Sequence, residues 1–480
     1  MQARYVGGMA CASACSPISN VSVAIRVRLP CALVLPLLAG CGGYQRYTPV
    51  PLGARQHAAS YEQRSLADPV LLHFLAENGL APTDSGWSSK QLALAAIYER
   101  PDLDQARAAV REAQAAEVTA GVTPPPSVAA AIGRADRTDR GKSSPWTVSL
   151  AAGLTLELGG KRAARTERAR AAVLAATLRL QALAWTIASA TRSAAVTSIN
   201  ADRDLASAVA EATARRTLLG LLRSRYAEGQ LSRVELARAE ADYQAASVGI
   251  TEARRTRTNA RLALARSLAV PLVAIDSLRL QSDAHSGCAT LDSVPPDTLR
   301  ALALRHRYDL GAALADYAVV EGDLRLAIAQ QYPDFTVEPG ISWDQGIVRW
   351  LLSVAVPAIP VARNRGPIAA AAAVRGAEAA RAVSSQDSVL AGVDSSIVAC
   401  REFQHALIAS DSLVSVAEHQ VRLAQAAYLR GETGAVDTAL ARIALVRAER
   451  VRVITVGRGV TAGVALESAV GMSLAGPQNP

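Results

Sequence analysis

Two hydrophobic periods alternate along this chain, and each of them occurs twice. From Trp146 to Leu158, Trp146, Val148, Leu150, Ala152, Leu154, Leu156 and Leu158 alternate with Thr147, Ser149, Ala151, Gly153, Thr155 and Glu157. Strict period two predicts a strand with one apolar face and one small or polar face, long enough to cross a hydrocarbon layer when tilted. The same alternation runs through Phe335, Val337, Ile341 and Trp343, through Val348, Trp350, Leu352, Val354 and Val356, and more weakly through Val128, Ala130 and Ile132 after Pro126. Four strands are expected, at about 126–134, 146–158, 333–344 and 348–357. Taken singly, each also fits a soluble, half-buried sheet.

Between the strand pairs the period changes to three and four. Lys161 to Tyr226 contains no proline, and Val173, Ala176, Leu180, Leu183, Ile187, Ala190 and Ala194 form a heptad seam of small and branched residues. A helix of that length extends about 100 Å at 1.5 Å per residue. Gly229 ends it, and a return helix is expected from Ser232 to about Leu268, before Val270-Pro271. The pattern returns from about Asn364 to Tyr428, breaks at Gly431 and resumes to about Leu474. Such helices exceed what a globular core needs, so projecting coiled-coil hairpins are expected.

The two sets are copies of one unit. Arg100-Pro101-Asp102-Leu103 returns as Arg307-Tyr308-Asp309-Leu310, and Pro126 as Pro333, both 207 residues later (309 minus 102, 333 minus 126). Trp146 returns at Trp350, and Tyr226-x-x-Gly229-x-x-x-x-Val234-Glu235 returns as Tyr428-x-x-Gly431-x-x-x-x-Val436-Asp437. Ordered matches with a slowly drifting offset mark a duplicated half-fold, with repeats at 88–290 and 291–480 and tips near 226–235 and 428–437. Four strands cannot close a barrel, and open edges are not tolerated in lipid. Copies of the chain must therefore combine: two would give eight strands and three would give twelve.

The amino terminus sets the destination. Arg26 and Arg28 precede an apolar run from Leu29 to Leu38 that ends in Leu38-Ala39-Gly40-Cys41. The run is too short to span a bilayer and suits a secretory signal over residues 1–40. Leu-Ala-Gly-Cys resembles a bacterial lipobox, which makes Cys41 the expected lipid attachment site and 41–87 an extended, lipid-anchored segment. An ordinary signal peptide followed by a coincidental cysteine is the alternative. Removing residues 1–40 takes away Arg4, Arg26 and Arg28, so the net charge falls from +9 to +6 (9 minus 3). That charge is mostly arginine scattered along helical segments with glutamate nearby, and no basic run interleaves with aromatics, which excludes a nucleic-acid partner. Only Cys288 and Cys400 lie in the body, and two distant thiols are read as no disulfide framework and no metal site.

Together these features resemble the TolC-like outer-membrane efflux proteins, in their lipoprotein form. The resemblance rests on the Cys41 lipobox, the duplication, the two β-hairpins each feeding a long helix, and the Tyr-x-x-Gly-x-x-x-x-Val-acid turn. It implies a mainly α fold with a small β part, in which three chains form a twelve-stranded outer-membrane β-barrel continued by a helical periplasmic tunnel. It also implies a homotrimer acting as the passive exit duct of a tripartite system, with a periplasmic adaptor and an inner-membrane pump of the resistance-nodulation-division type as partners. The tips carrying Gly229, Leu231, Ser232, Gly431 and Thr433 would dock the adaptor, and Glu235, Asp437 and Tyr428 would line the pore entrance. Read locally, the glycines also satisfy ordinary turn chemistry, and single acids at a helix start are also ordinary dipole partners. Thr433 stands where some members carry an arginine that pairs across the tip.

Glu157-Leu158-Gly159-Gly160-Lys161-Arg162 resembles the strand-exit motif of members that work with heavy-metal pumps. Its local reading is a barrel-to-helix corner, with Lys161 and Arg162 reaching for the membrane boundary. Either metal-cation or drug efflux follows from the resemblance; a type I secretion duct and a pore-free periplasmic scaffold are the alternatives. No cofactor and no enzyme activity are expected, because Gly159-Gly160-Lys161 lacks phosphate-loop spacing and the six histidines form no metal-binding pair.

Overall fold

The computed structural model describes residues 47–81, 86–134, 144–281, 287–344, 346–357 and 364–474. The expected signal segment and Cys41 lie outside them. The chain divides into two units, 1–56 and 57–480. Residues 47–56, the described part of the first unit, are solvent-exposed and include the start of helix α1.

In chain order the elements are α1 (Ala54–Glu62), α2 (Pro69–Glu77), α3 (Ser89–Glu99), α4 (Pro101–Ala120), β1 (Ser127–Arg134), β2 (Trp146–Leu156), α5 (Lys161–Ala227) and α6 (Arg233–Leu268). A short helix α7 (Val273–Asp276) and a 3-10 turn (Gly287–Asp292) lead into α8 (Pro296–His306), α9 (Tyr308–Ala329), β3 (Phe335–Asp344), β4 (Ile347–Ala355), α10 (Arg365–Leu429) and α11 (Ala435–Val470). The duplication is visible in the elements themselves: α8 begins and ends 207 residues after α3 (296 minus 89, 306 minus 99).

Each long helix is flanked by shorter ones. Helix α5 packs against α4 and α9 on the strand side and against α6 and α11 towards the tip, while α10 packs against α9 and α11. The heptad seam is buried at Ala176 and Ile187, but Ala190 is exposed and the stripe continues instead through Ala195, Val196, Ile199 and Ala201. The shift follows from the period: a straight helix drifts about 20° per heptad, so a strict seven-residue repeat cannot track one partner over this length.

Two cores lie where the short helices meet. Leu71 and Leu75 of α2 are fully buried with Leu92 of α3, Leu103 of α4, Leu268 of α6, Val270 and Ile275. The segment expected to be extended therefore carries two short helices, α1 and α2, and α2 is held by two leucines, each worth roughly 1.5–3 kcal/mol when fully buried. Beside them Tyr61 Oη donates to the carbonyl of Val270 (3.0 Å) and Arg64 to that of Ala269 (2.8 Å), satisfying the frayed end of α6. In the second core Leu299, Val393, Leu466 and Val470 surround a disulfide between Cys288 and Cys400. That bond corrects the reading of the two cysteines as unpaired: 112 residues apart in sequence, they are brought together by the packing of the 3-10 turn on α10.

The strands form one antiparallel sheet in the order β1-β2-β3-β4, with β2 and β3 joining the two repeats. Pairing between β2 and β3 runs from Thr147↔Asp344 to Ala151↔Gly340 and resumes at Leu154↔Val337. The gap falls at Pro339, which has no N–H to give the ladder. Trp146, Val148, Leu150, Leu154, Trp350, Leu352 and Val354 are exposed on one face. Thr155 and Thr336 meet on the other, their hydroxyl oxygens 3.4 Å apart.

The corner from β2 into α5 is built rather than loose. Gly159 and Gly160 both have positive φ (73° and 74°), and a Cβ on Gly159 would stand 2.6 Å from the Tyr332 ring. Asp334 accepts hydrogen bonds from Lys161 Nζ (2.8 Å) and from the Leu158 amide (3.1 Å) through one oxygen. Lys161 is thus buried and paired, which corrects the expectation that it reaches out to the membrane boundary; Arg162 is exposed. Arg165 grips Glu157 through both guanidinium nitrogens (2.5 and 2.9 Å).

The two faces of the sheet make opposite demands. Arginine at Leu154, on the apolar face, is expected to cost about 2–4 kcal/mol near a bilayer midplane, whereas arginine at Thr155 is expected to be far milder. Chemical denaturation of both variants reconstituted in lipid measures the difference, and equal tolerance would show that the face is misassigned.

Candidate functional site

The turns at the far ends of the long helices are built to one plan. Helix α5 ends at Ala227, Gly229 takes φ 74°, its amide donates to Tyr226 (3.0 Å) and the Gln230 amide donates to Arg225 (2.9 Å). Helix α10 ends at Leu429, Gly431 takes φ 77°, its amide donates to Tyr428 (3.0 Å) and the Glu432 amide donates to Ala427 (2.9 Å). Both are Schellman closures, which pair the last carbonyls and need a residue that tolerates positive φ.

The acids begin the return helices. Ser232 caps α6: its Oγ accepts from the Glu235 amide (3.2 Å), while Glu235 Oε2 accepts from the Ser232 amide (3.1 Å) and hydroxyl (2.8 Å). These bonds, from the hydroxyl first and the backbone second, hold the Glu235 carboxyl below the usual glutamate range, so it is ionised at neutral pH. At the second tip Asp437 Oδ2 accepts from the Gly434 amide (3.1 Å), but glycine has no side chain to return the bond. Both acids are exposed helix-start acceptors in a single copy of the chain.

The two tips meet through a residue that sequence reading did not single out. Arg225 of the first hairpin lies against Gly434 of the second, one guanidinium nitrogen 2.6 Å from where a Cβ would stand. Arg430 binds Glu432 beside it (2.6 and 2.9 Å), holding the Glu432 carboxyl low. Leu231 is half-buried at the first tip, whereas Thr433 is exposed and Tyr428 is half exposed at the second. Val234 is 79% exposed although its repeat partner Val436 is partly covered, so the tips differ in the surface they offer.

About 20–30 Å from the turns, by helical rise, a cluster of arginines joins the hairpins. Glu211 of α5 accepts from Arg215 (3.2 Å), from Arg447 of α11 (3.1 Å) and from Arg450 of α11 (3.3 Å). Arg450 also donates to Asp204 (2.9 Å). Burial opposes ionisation of Glu211, but the arginines outweigh it and the carboxyl titrates below its usual range. No local motif marks this cluster, since its members come from positions more than 230 residues apart.

At the other end, the small-residue face of the sheet carries Ser149, Ala151, Thr155, Thr336, Gly340, Ser342 and Ser353. Among the described residues its ionisable groups are Asp344 and Arg349, which pair at 3.4 Å, and Glu338, whose recorded side-chain partner is the Ser353 hydroxyl at 3.1 Å. No group of three or more His, Cys, Asp or Glu able to hold a metal occurs among the described residues.

A model of the outer membrane efflux protein family matches residues 92–270. It spans α4, the first hairpin of strands and the first tip. No curated protein matches the chain by sequence. Among solved structures, the outer membrane protein VceC from Vibrio cholerae is 20% identical with a TM-score of 0.64, the match covering 80% of this chain and 96% of that one. The CmeC outer membrane channel of Campylobacter jejuni is 14% identical with a TM-score of 0.61 (89% and 94% covered). The open state of the MtrE outer membrane channel of Neisseria gonorrhoeae is 18% identical with a TM-score of 0.60 (80% and 89% covered). These likenesses establish the fold: the chain has the architecture of these outer membrane channels.

Two outcomes are expected from the tips and the cluster. A Cβ at Gly229 or Gly431 meets no neighbour within 4 Å, so the main cost of valine there is backbone strain, about 1–3 kcal/mol per site. The double variant is expected to lose export in whole cells while assembling normally on gels. Glu211, lowered in the folded state, contributes stability that is complete above its unfolded value near 4.3 and is lost as the pH falls through the folded value. Thermal melting of wild type and Glu211→Gln across pH 3–7 should show the variant less stable at neutral pH and the gap closing in acid; a constant gap would exclude the cluster as its source.

Proposed function

We propose that three copies of this chain form the outer-membrane exit duct of an efflux system. The observation that carries this reading is the sheet. It has an apolar outer face and an inner one of mostly small and polar residues interrupted by Ile347 and Leu351, and among the described residues of one copy the outer edges of β1 and β4 have no partner. Three copies would pair every edge and give twelve strands, an allowed even number. The long helices would continue the barrel as a tunnel into the periplasm. Exposed apolar residues along α10, among them Ile408, Val416 and Leu423, would be covered by a neighbouring copy.

The adaptor would dock at the tips carrying Gly229, Leu231, Ser232, Gly431 and Thr433, and the pump behind it would be of the resistance-nodulation-division type. Glu235, Asp437 and Tyr428 would line the entrance. Threefold repetition turns each carboxylate into a ring, which favours cations in a narrow pore. Glu338 supports the same preference in the barrel, since no cation pairs with it among the described residues. A cationic cargo, metal or drug, fits these charges better than an anionic one. Cys41 would carry the lipid that holds the amino terminus at the membrane.

Single-channel recording in a planar bilayer, with heat-modifiable migration on a gel, tests the duct. A trimer that conducts is expected; a monomer at every temperature with no conductance sinks the reading. In a conducting trimer, Glu235→Gln with Asp437→Asn should weaken divalent-cation block and cation preference, with the difference shrinking at 1 M salt, where the Debye length is about 3 Å. Unchanged selectivity would leave these acids as helix-end partners only.

A further inference from the structure

The two halves of the chain close their cores by different means. In the first, the helix preceding α3 is α2, whose Leu71 and Leu75 are fully buried. Shifted by 207 residues, α2 falls on 276–284 (69 plus 207, 77 plus 207). The described part of that stretch is already committed elsewhere: Leu278 and Leu280 pack against the first core, and Leu280 bridges to Trp87. Among the described residues the second core therefore has no counterpart of α2, and its cluster holds ten buried residues where the first holds fourteen. Two of those ten are Cys288 and Cys400, joined by the disulfide.

We infer that this chain matures through an oxidative step at Cys288 and Cys400, and that the bond formed there does for the second half what α2 does for the first. It ties the 3-10 turn of the linker between α7 and α8 to the middle of α10, closing a loop of 112 residues. A crosslink over so long a loop removes many conformations from the unfolded chain. The inference rests on the export reading above, because such a bond persists in an oxidising compartment. The chemistry balances by thiol–disulfide exchange. One cysteine thiolate attacks the disulfide of a dithiol-type oxidant, the second displaces that oxidant, and the oxidant leaves as its dithiol with two electrons and two protons from the chain.

Burial orders the events. Both cysteines are at most 1% exposed once folded, so no oxidant reaches them then. Oxidation must precede closure of the second core. Pairing is also unambiguous, because a mature chain beginning at an acylated Cys41 contains no third thiol.

Full-length protein recovered from the outer-membrane fraction of a Gram-negative host, denatured without reductant and treated with a maleimide, provides the test. Neither Cys288 nor Cys400 should label, and mass spectrometry should find their peptides linked. Reductant added after folding should leave the bond intact, while reductant present during synthesis should lower the yield. Cys288→Ala with Cys400→Ala should raise protease cleavage in 277–296 tenfold or more, with cleavage in 57–81 unchanged. Free thiols in the outer-membrane protein, or unaltered cleavage of the linker, would overturn the inference. A chain that never reaches the outer membrane would instead overturn the export reading, and fractionation separates the two.

Discussion

A strand at the edge of a sheet presents a row of amides and carbonyls, and in hydrocarbon each one left unpaired costs several kcal/mol. In the proposed barrel that cost would act at β1 and β4, whose inner edges are paired and whose outer edges, among the described residues, are not. On the duct reading proposed above, one copy of the chain would be incomplete in a membrane. The same cost would explain why the duplication places β2 beside β3: the two repeats satisfy each other at the centre of the sheet and leave their needs at its margins. The gap opposite Pro339 shows that an interior ladder can lose a rung while its neighbours hold the register.

Duplication supplies the scaffold, and departures from it supply what is specific. Both tips close with a glycine in the left-handed region, yet only the first has a serine to complete its capping box. Arg225 occupies the space that Gly434 leaves open, so the gap in one repeat is filled by a side chain from the other. The cores show the same division, one closed by a helix and the other by a covalent bond. Equal halves would have interchangeable tips and interchangeable cores; these halves have neither.

Much of this was legible in the sequence because it is periodic. Period two located β2 and β3, whose two faces differ in chemistry, and the absence of proline with a terminal glycine located α5 and α10. What was not legible depends on residues distant in the chain. Lys161 reads as a boundary cation until Asp334 is brought beside it. Cys288 and Cys400 read as two isolated thiols until the linker is laid on α10. Ala190 sits on a heptad that the straight helix leaves behind, and α2 carries too short an apolar pattern in Pro69–Glu77 to announce that it fills a core. The tip residues were located by the repeated turn, whereas Arg225 and the partners of Glu211 carry no local signal.

The long helices are flanked by shorter ones in a way that has a mechanical meaning. Helix α5 has 67 residues, about 100 Å by rise, while α6 has 36 and α4 has 20, about 54 and 30 Å. The short helices thus meet end to end beside an unbroken one, as planks are butted against a continuous beam. A bending load at the level of the butt joint falls on α5 and α10 alone unless something clamps the ends together. The buried leucines around Leu268 clamp one joint, and the Cys288–Cys400 bond clamps the other. The middle of the protein is its splice, and a twist applied at the tips is carried to the strands only as far as those two fastenings hold.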